Sequence, residues 1–193
     1  MTDDPTRLFG EWFQAAQATG MNLPEAAALS TATPHGVPSS RMVLLKAFDP
    51  SGFTFFTNYE SRKAREMEVN PRAALLFFWS LLERQVRIEG TVARTTPEES
   101  AAYFRTRDRG SQLGAWASLQ SRPLAERREL EERFQEHERR FTGLDVPLPP
   151  HWGGYRLTPE RMEFWQGRPN RLHDRVQFAR DRAGRWVSSR MYP

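Results

Sequence analysis

Apolar and polar positions follow two rhythms along this chain. Between Pro5 and Thr19, Leu8, Trp12 and Phe13 recur at helical spacing beside Ala15, Ala16 and Ala18, which predicts an amphipathic helix stopped by Gly20. An apolar run from Ala26 to Thr33 leads into the turn residues Pro34-His35-Gly36-Val37-Pro38. Ser39 to Phe48 then reads as a strand, Asp49-Pro50-Ser51-Gly52 as a hairpin turn, and Phe53 to Thr57 as a second strand rich in β-formers. Ser61 to Asn70 reads as a short helix ended by Pro71, and Ala73 to Ser80 as a buried strand. Arg84 to Thr95 alternates cleanly, with Val86, Ile88, Gly90 and Val92 on one face and Gln85, Arg87 and Glu89 on the other.

The second half turns helical. Thr96 is placed to cap a helix over Pro97 to Arg107, with Glu98 and Glu99 in its first turn. Arg122 to Thr142 reads as a long, solvated outer helix laced with Glu and Arg. Val146 to Pro150 is a stiff linker, and short strands follow at Gly154–Leu157, Met162–Trp165, Val176–Arg180 and Arg185–Arg190. Short strands with tight turns predict an α+β fold, a β-barrel core with helices outside, in one domain over residues 1–193.

Composition narrows the function. The chain has no cysteine, which excludes disulfides, thiol catalysis and Cys-based metal or iron–sulfur sites. His35, His137 and His151 read as turn, helix-surface and loop residues, so no metal site is expected. No Gly-x-Ser-x-Gly elbow and no glycine-rich nucleotide loop occurs. The acidic start Met1-Thr2-Asp3-Asp4-Pro5 and the lack of any apolar run of about 18 residues predict a soluble cytoplasmic protein with no membrane partner. A net charge of +4 permits nucleic-acid binding. However, the aromatic strands look buried where a nucleic-acid binder would expose them, so no such partner is expected.

Charge identity is more telling than net charge. Only two lysines, Lys46 and Lys63, stand against twenty-six arginines. A compact, titratable ammonium does a different job from a planar guanidinium, so both are candidates for anion binding. Lys46 closes the cluster Arg41-Met42-Val43-Leu44-Leu45-Lys46. Read alone, that cluster could equally be a buried strand with solvated ends, and strict alternation puts Arg41 and Lys46 on opposite faces. Lys63 closes Thr57-Asn58-Tyr59-Glu60-Ser61-Arg62-Lys63 at a strand-to-helix junction, where free N–H groups and the helix dipole favour a phosphate. An N-capped surface helix would carry the same residues. Gln85 and Gln120-Ser121 could hydrogen-bond a heteroaromatic ring edge. The densest segment is Trp165-Gln166-Gly167-Arg168-Pro169-Asn170-Arg171-Leu172-His173-Asp174-Arg175, which sets three arginines, a histidine and a tryptophan around a turn.

In order along the chain, these segments resemble the pyridoxamine/pyridoxine 5′-phosphate oxidase family, from about Leu8 to Pro193. The resemblance also rests on Glu83-Arg84-Gln85-Val86, Ser111-Gln112-Leu113-Gly114-Ala115-Trp116 and Trp152-Gly153-Gly154. It implies an FMN-binding split β-barrel, a homodimer with FMN at the subunit interface. FMN would be held by Arg41, Met42, Val43, Leu44, Leu45, Lys46, Phe56, Thr57, Arg62, Lys63, Gln85, Gln120, Ser121, Trp165 and Arg175. Lys46, Tyr103, Arg107 and Ser111 would hold the substrate phosphate. Tyr103 and Arg107 stand four apart on one predicted helix and so share a face. Arg171, Leu172 and His173 would lie against the substrate's ring, with Arg171 and His173 catalytic. The implied reaction is oxidation of the amine or alcohol by dioxygen to pyridoxal 5′-phosphate with release of hydrogen peroxide. A phenazine-pathway flavin oxidase or a non-catalytic flavin or B6-phosphate binder are the alternatives. The family's basic, tyrosine-containing arm before the first helix is expected to be missing or trimmed, since about seven residues precede Leu8, and Phe56 stands where a tyrosine is common.

Overall fold

The computed structural model describes residues 4–193; residues 1–3, part of the acidic start, lie outside the described residues. The first helix, α1 (Pro5–Ala18), forms because the Asp4 carboxylate caps it, accepting from the N–H groups of Thr6 at 2.9 Å and Arg7 at 3.3 Å. Its innermost residue is Phe9, one position from the predicted stripe, while Leu8, Trp12 and Phe13 flank it half-buried. Phe9 is fully buried, with ring centroids of Phe48, Phe53 and Phe77 at 4.9, 4.9 and 5.1 Å. Phe9→Ala is expected to cost about 3–5 kcal/mol in urea unfolding, because rigid neighbours on three sides cannot collapse into the void.

One curled antiparallel sheet carries the rest of the core. Its strands are β1 (Ala26–Ala32), β2 (Pro38–Leu44), β3 (Ala47–Asp49), β4 (Gly52–Asn58), β5 (Arg72–Trp79), β6 (Arg84–Arg94), β7 (Trp152–Gln166), β8 (Asp174–Arg180) and β9 (Trp186–Arg190). They run in the order β2-β1-β5-β6-β7-β4-β3, and β8 and β9 extend from the far half of β7. The helices are α1, α2 (Arg62–Val69), α3 (Pro97–Thr106), α4 (Arg109–Ala117) and α5 (Arg127–Arg140). Among the described residues, no helix is long and apolar enough to cross a membrane.

Several expectations change. The strand predicted over Ser39–Phe48 breaks in two because the chain changes partner there. Leu45 N–H donates to Glu25 O at 2.9 Å on one side of the sheet, and Lys46 N–H donates to Thr54 O at 2.8 Å on the other. This handover curls the sheet, and face alternation cannot be carried from Arg41 to Lys46 across it. The strands predicted at Gly154–Leu157 and Met162–Trp165 are one, β7, which pairs β4 with its first half and β8 with its second. A bulge between Glu89 and Gly90 bends the β6–β7 ladder. A Cβ on Gly90 would lie 2.0 Å from Thr158 O, so only glycine fits there.

β5 is buried on one face only. Leu75, Phe77 and Trp79 point inward, while Phe78 is 61% exposed on the outer face. The outer helix starts at Arg127 and not Arg122, because the segment before it passes through left-handed Ser121 and Pro123. Helix α4 was not anticipated: Gly110 and Gly114 weaken its signal, and the Asp108 side chain caps it through Ser111 N–H at 2.8 Å. His137, expected on the helix surface, instead stacks on Phe141 and lies against Trp116, and among the described residues its Nδ1 is buried without a hydrogen-bond partner. That burial lowers its pKa. A second apolar cluster of Phe104, Leu113, Phe141, Val146 and Trp152 seats α3 and α4 against the start of β7.

Candidate cofactor and substrate site

The junction of β4 and α2 concentrates positive charge. Ser61 caps α2, and two residues later Lys63 turns inward and is only 7% exposed. Its ammonium donates to Gln120 Oε1 at 2.9 Å, Thr57 Oγ1 at 3.0 Å and Ser61 Oγ at 3.3 Å, all neutral oxygens. Burial, and then the charge of Arg41, push its pKa down to about 8. A buried ammonium with neutral partners is an anion site by its own electrostatics.

Arg41 and Arg62 share a carboxylate that was not anticipated. Glu66 Oε1 accepts from Arg62 Nε at 2.8 Å, and Oε2 accepts from Ser39 Oγ at 2.6 Å and Arg41 Nη2 at 3.3 Å. Burial opposes the charge on Glu66. Hydrogen bonds from Ser39, Thr31 and Arg62 outweigh it and hold the pKa at about 2. Two of the corner's three cations pair with this one carboxylate and Lys63 does not, which leaves the corner net positive. The Arg62/Glu66 spacing of four on a helix was the available signal for this residue. Of the residues between Arg41 and Lys46, Val43 and Leu45 sit in the core, Met42 is exposed on the outer face, and Leu44 lines the cleft described next.

A cleft of about 630 Å³ opens beside this corner. Lys46, Tyr103, Arg107 and Ser111 line it together with Phe56, Thr57 and Gln120. The structure brings Tyr103 and Arg107 together, but not on one helix face. Arg107 is the C-cap of α3, in extended conformation, and Ser111 follows in the first turn of α4. Tyr103 stacks on Phe56, with centroids 4.0 Å apart, and the Arg107 guanidinium lies 4.7 Å over the Trp152 ring. Among the described residues, Arg107 Nη1 is buried without a hydrogen-bond partner.

Of the remaining predicted residues, Ser121 sits next to Gln120 in the turn after α4, and Gln85, Trp165 and Arg175 lie elsewhere, on the outer face of the sheet. Strand register sets Phe78, Gln85, Trp165 and Arg175 side by side across β5, β6, β7 and β8. Arg175 is tied to Glu163, also unanticipated, through Nε and Nη2 at 3.0 Å each. Beyond β7 the loop passes through Asn170 and Arg171, both left-handed at φ 57° and 62°. Two consecutive non-glycine residues in that region are strain of the kind found at functional loops. Leu172 is exposed, and His173 packs its ring 4.6 Å from Trp165. Arg168 N–H donates to His173 Nδ1 at 3.1 Å, so the neutral ring carries its proton on Nε2. Among the described residues, none of Gln85, Trp165, Arg171, His173 or Arg175 lines the cleft.

The cationic corner suits a terminal phosphate such as that of FMN: it offers an inward-facing ammonium, two guanidinium groups and a helix N-terminus. The outer row supplies an amide, an indole and a guanidinium, a donor set that suits a polar heteroaromatic ring.

Comparison with known proteins agrees with this architecture. The family described as pyridoxamine 5′-phosphate oxidase matches residues 13–140, and the pyridoxine 5′-phosphate oxidase C-terminal dimerisation region matches residues 152–193. A pyridoxine/pyridoxamine 5′-phosphate oxidase from Rubrobacter xylanophilus is 62% identical over 98% of this chain and 87% of its own. One from Salinibacter ruber is 52% identical over 100% of this chain and 91% of its own. Among solved structures, PhzG from Burkholderia lata 383, in complex with tetrahydrophenazine-1-carboxylic acid, matches with a TM-score of 0.94 at 32% identity, covering 100% of this chain and 94% of that one. An FMN-binding protein from Nostoc punctiforme related to pyridoxamine 5′-phosphate oxidase, with a TM-score of 0.77 at 16% identity, shares the fold. With a split-barrel sheet and relatives of this identity along nearly its whole length, the chain belongs to the pyridoxamine 5′-phosphate oxidase family of oxidoreductases.

Proposed function

We propose that this protein oxidises pyridoxine or pyridoxamine 5′-phosphate to pyridoxal 5′-phosphate, working as a homodimer with FMN at the subunit interface. The alcohol and dioxygen give the aldehyde and hydrogen peroxide. The amine takes up one water as well and releases ammonia. The observation that carries this reading is the cleft, where Lys46, Tyr103, Arg107 and Ser111 converge beside the cationic corner. A phosphorylated substrate accounts for that convergence. A phosphate-free phenazine carboxylic acid, the second reading raised by the PhzG likeness, would bring a single carboxylate and not a dianion to the four groups Lys46, Tyr103, Arg107 and Ser111.

The two halves of the site explain the need for a partner. The corner and cleft lie where β2, β4 and α2 come together, the row Gln85, Trp165, Arg175 on the outer face of the sheet, and a second copy joins one half to the other. Bound FMN supplies a two-electron acceptor that dioxygen can reoxidise. Lys63, Arg62 and Arg41 hold its phosphate, and Gln85, Gln120, Ser121, Trp165 and Arg175 its ring and chain. Arg107, Lys46, Tyr103 and Ser111 grip the substrate phosphate and so fix the reacting carbon. His173 presents Nε2–H and not a lone pair while Arg168 occupies Nδ1. It therefore serves as a hydrogen-bond donor to the substrate ring, with the Arg171 guanidinium beside it as a fixed cation.

The deciding experiment is aerobic turnover of purified protein with FMN and pyridoxine 5′-phosphate. Equimolar aldehyde and peroxide are expected, with kcat falling about 10²–10³-fold in Arg171→Ala and His173→Ala while FMN stays bound. A yellow, FMN-loaded protein that makes neither product would sink the substrate assignment.

A further inference from the structure

Glu163 sits on the same face of β7 as Trp165, two residues earlier, yet its side chain is only 4% exposed. A carboxylate this buried is costly unless its charge is answered in place. Two arginines answer it, one from each neighbouring strand. Arg175 of β8 donates Nε to Oε1 at 3.0 Å and Nη2 to Oε2 at 3.0 Å, a two-point grip on the carboxylate. Arg87, directly opposite on β6, donates Nη2 to Oε2 at 2.9 Å. Arg175 spends its remaining nitrogen on the Tyr192 carbonyl, at 2.8 Å. Its guanidinium plane is therefore held at three points before any ligand arrives. Arg87 also forms an ion pair with Glu89, its Nε 2.9 Å from Oε1 but not aligned for a hydrogen bond.

This arrangement separates the roles of the two arginines. Arg87 lies opposite Glu163 itself, one row along from Gln85, and offsets the buried charge. Arg175 lies beside Trp165 in the row that also holds Gln85. We propose that Glu163 is a positioning residue. It locks the Arg175 guanidinium in the plane and place from which that row meets the flavin, and Arg87 keeps the carboxylate compensated while it does so. The inference rests on the flavin reading given above. Arg175 could not be replaced by lysine here, since a point ammonium cannot take a two-point grip.

A binding cycle on the full-length protein, freed of FMN and titrated with it, tests this through quenching of flavin fluorescence. Glu163→Gln, Arg175→Leu and the double variant are compared with wild type. Glu163→Gln is expected to weaken FMN binding about tenfold, the scale on which supporting-shell changes act. In the Arg175→Leu background the same change is expected to add less than about twofold, since a residue that acts through another loses its effect when that other is gone. Equal weakening in both backgrounds would show a general structural role and overturn the proposal, as would no weakening in wild type. If Glu163→Gln does not fold, Glu163→Asp takes its place: it keeps the charge but shortens the reach by one methylene. Weakening that vanishes in the Arg175→Leu background supports the proposal; wild-type affinity, or weakening that persists there, overturns it. A wild-type protein that binds no FMN is a separate outcome, seen in the first titration, and removes the flavin reading itself.

Discussion

Lys63→Met is expected to lower the affinity for FMN about a hundredfold while changing the affinity for riboflavin, which lacks the phosphate, by less than about threefold. A hydrogen bond to a charged group contributes about 1.5–3 kcal/mol, and the larger figure corresponds to roughly a hundredfold. The larger figure applies here because the ammonium is buried and its protein partners, Thr57, Ser61 and Gln120, are all neutral. A general loss of structure would weaken both ligands alike, so the FMN-to-riboflavin ratio separates the two explanations. The same residue sets a pH dependence. Its pKa in the folded protein is lowered from 10.5 to about 8. Between those values the unfolded chain binds a proton that the ligand-free folded protein does not, so stability rises with pH across that window. FMN binding requires the ammonium, so affinity falls as pH rises above about 8, by up to about tenfold per unit. In Lys63→Met that step disappears. Isothermal titration of both flavins from pH 7 to 9.5 measures all of it, and a flat wild-type profile would exclude Lys63 from the phosphate site.

Arg107→Leu is expected to raise KM for pyridoxine 5′-phosphate about 10²–10³-fold with little change in kcat, the signature of binding lost equally from ground and transition states. Among the described residues, Arg107 has a buried nitrogen with no partner, and its guanidinium lies over Trp152; burial lowers its pKa while leaving it a cation. In the free protein that unanswered donor is a cost, so leucine, which keeps an apolar stem against Trp152, is expected not to lower the melting temperature. Lost substrate binding without lost stability is what a residue held in readiness for a ligand produces. Steady-state kinetics with pyridoxine 5′-phosphate, beside a melting curve, provide the check. A melting temperature that falls along with kcat would instead make Arg107 a structural residue.

Much of the fold could be read from local pattern. Thr96 caps α3 as the helix start implied, with Glu99 completing a capping box, and the alternation of Val86, Ile88, Gly90 and Val92 became the buried face of β6. The failures occur where a partner distant in sequence decided the outcome. The run Ser39–Phe48 has strand character throughout, and only its exchange of Glu25 for Thr54 as hydrogen-bond partner cuts it in two. His137 looked solvated because its helix is charged, but the packing of Trp116 and Phe141 covers it.

The site divides in the same way. The sequence by itself determined which groups could bind anions: two lysines among many arginines, a capped helix after a β-rich strand, and Arg171 and His173 around a turn. Those are properties of residue type and near-neighbour spacing, which the chain carries before it folds. Only the tertiary structure decided which groups meet. It set Glu66 between Arg41 and Arg62, buried Glu163 under Arg175, left Arg107 Nη1 without a partner, and put the outer row away from the cleft. Each of those depends on contacts between elements far apart in sequence; for Glu163 and the outer row the contact is set by strand register, which follows from how the whole sheet curls to bury its apolar face.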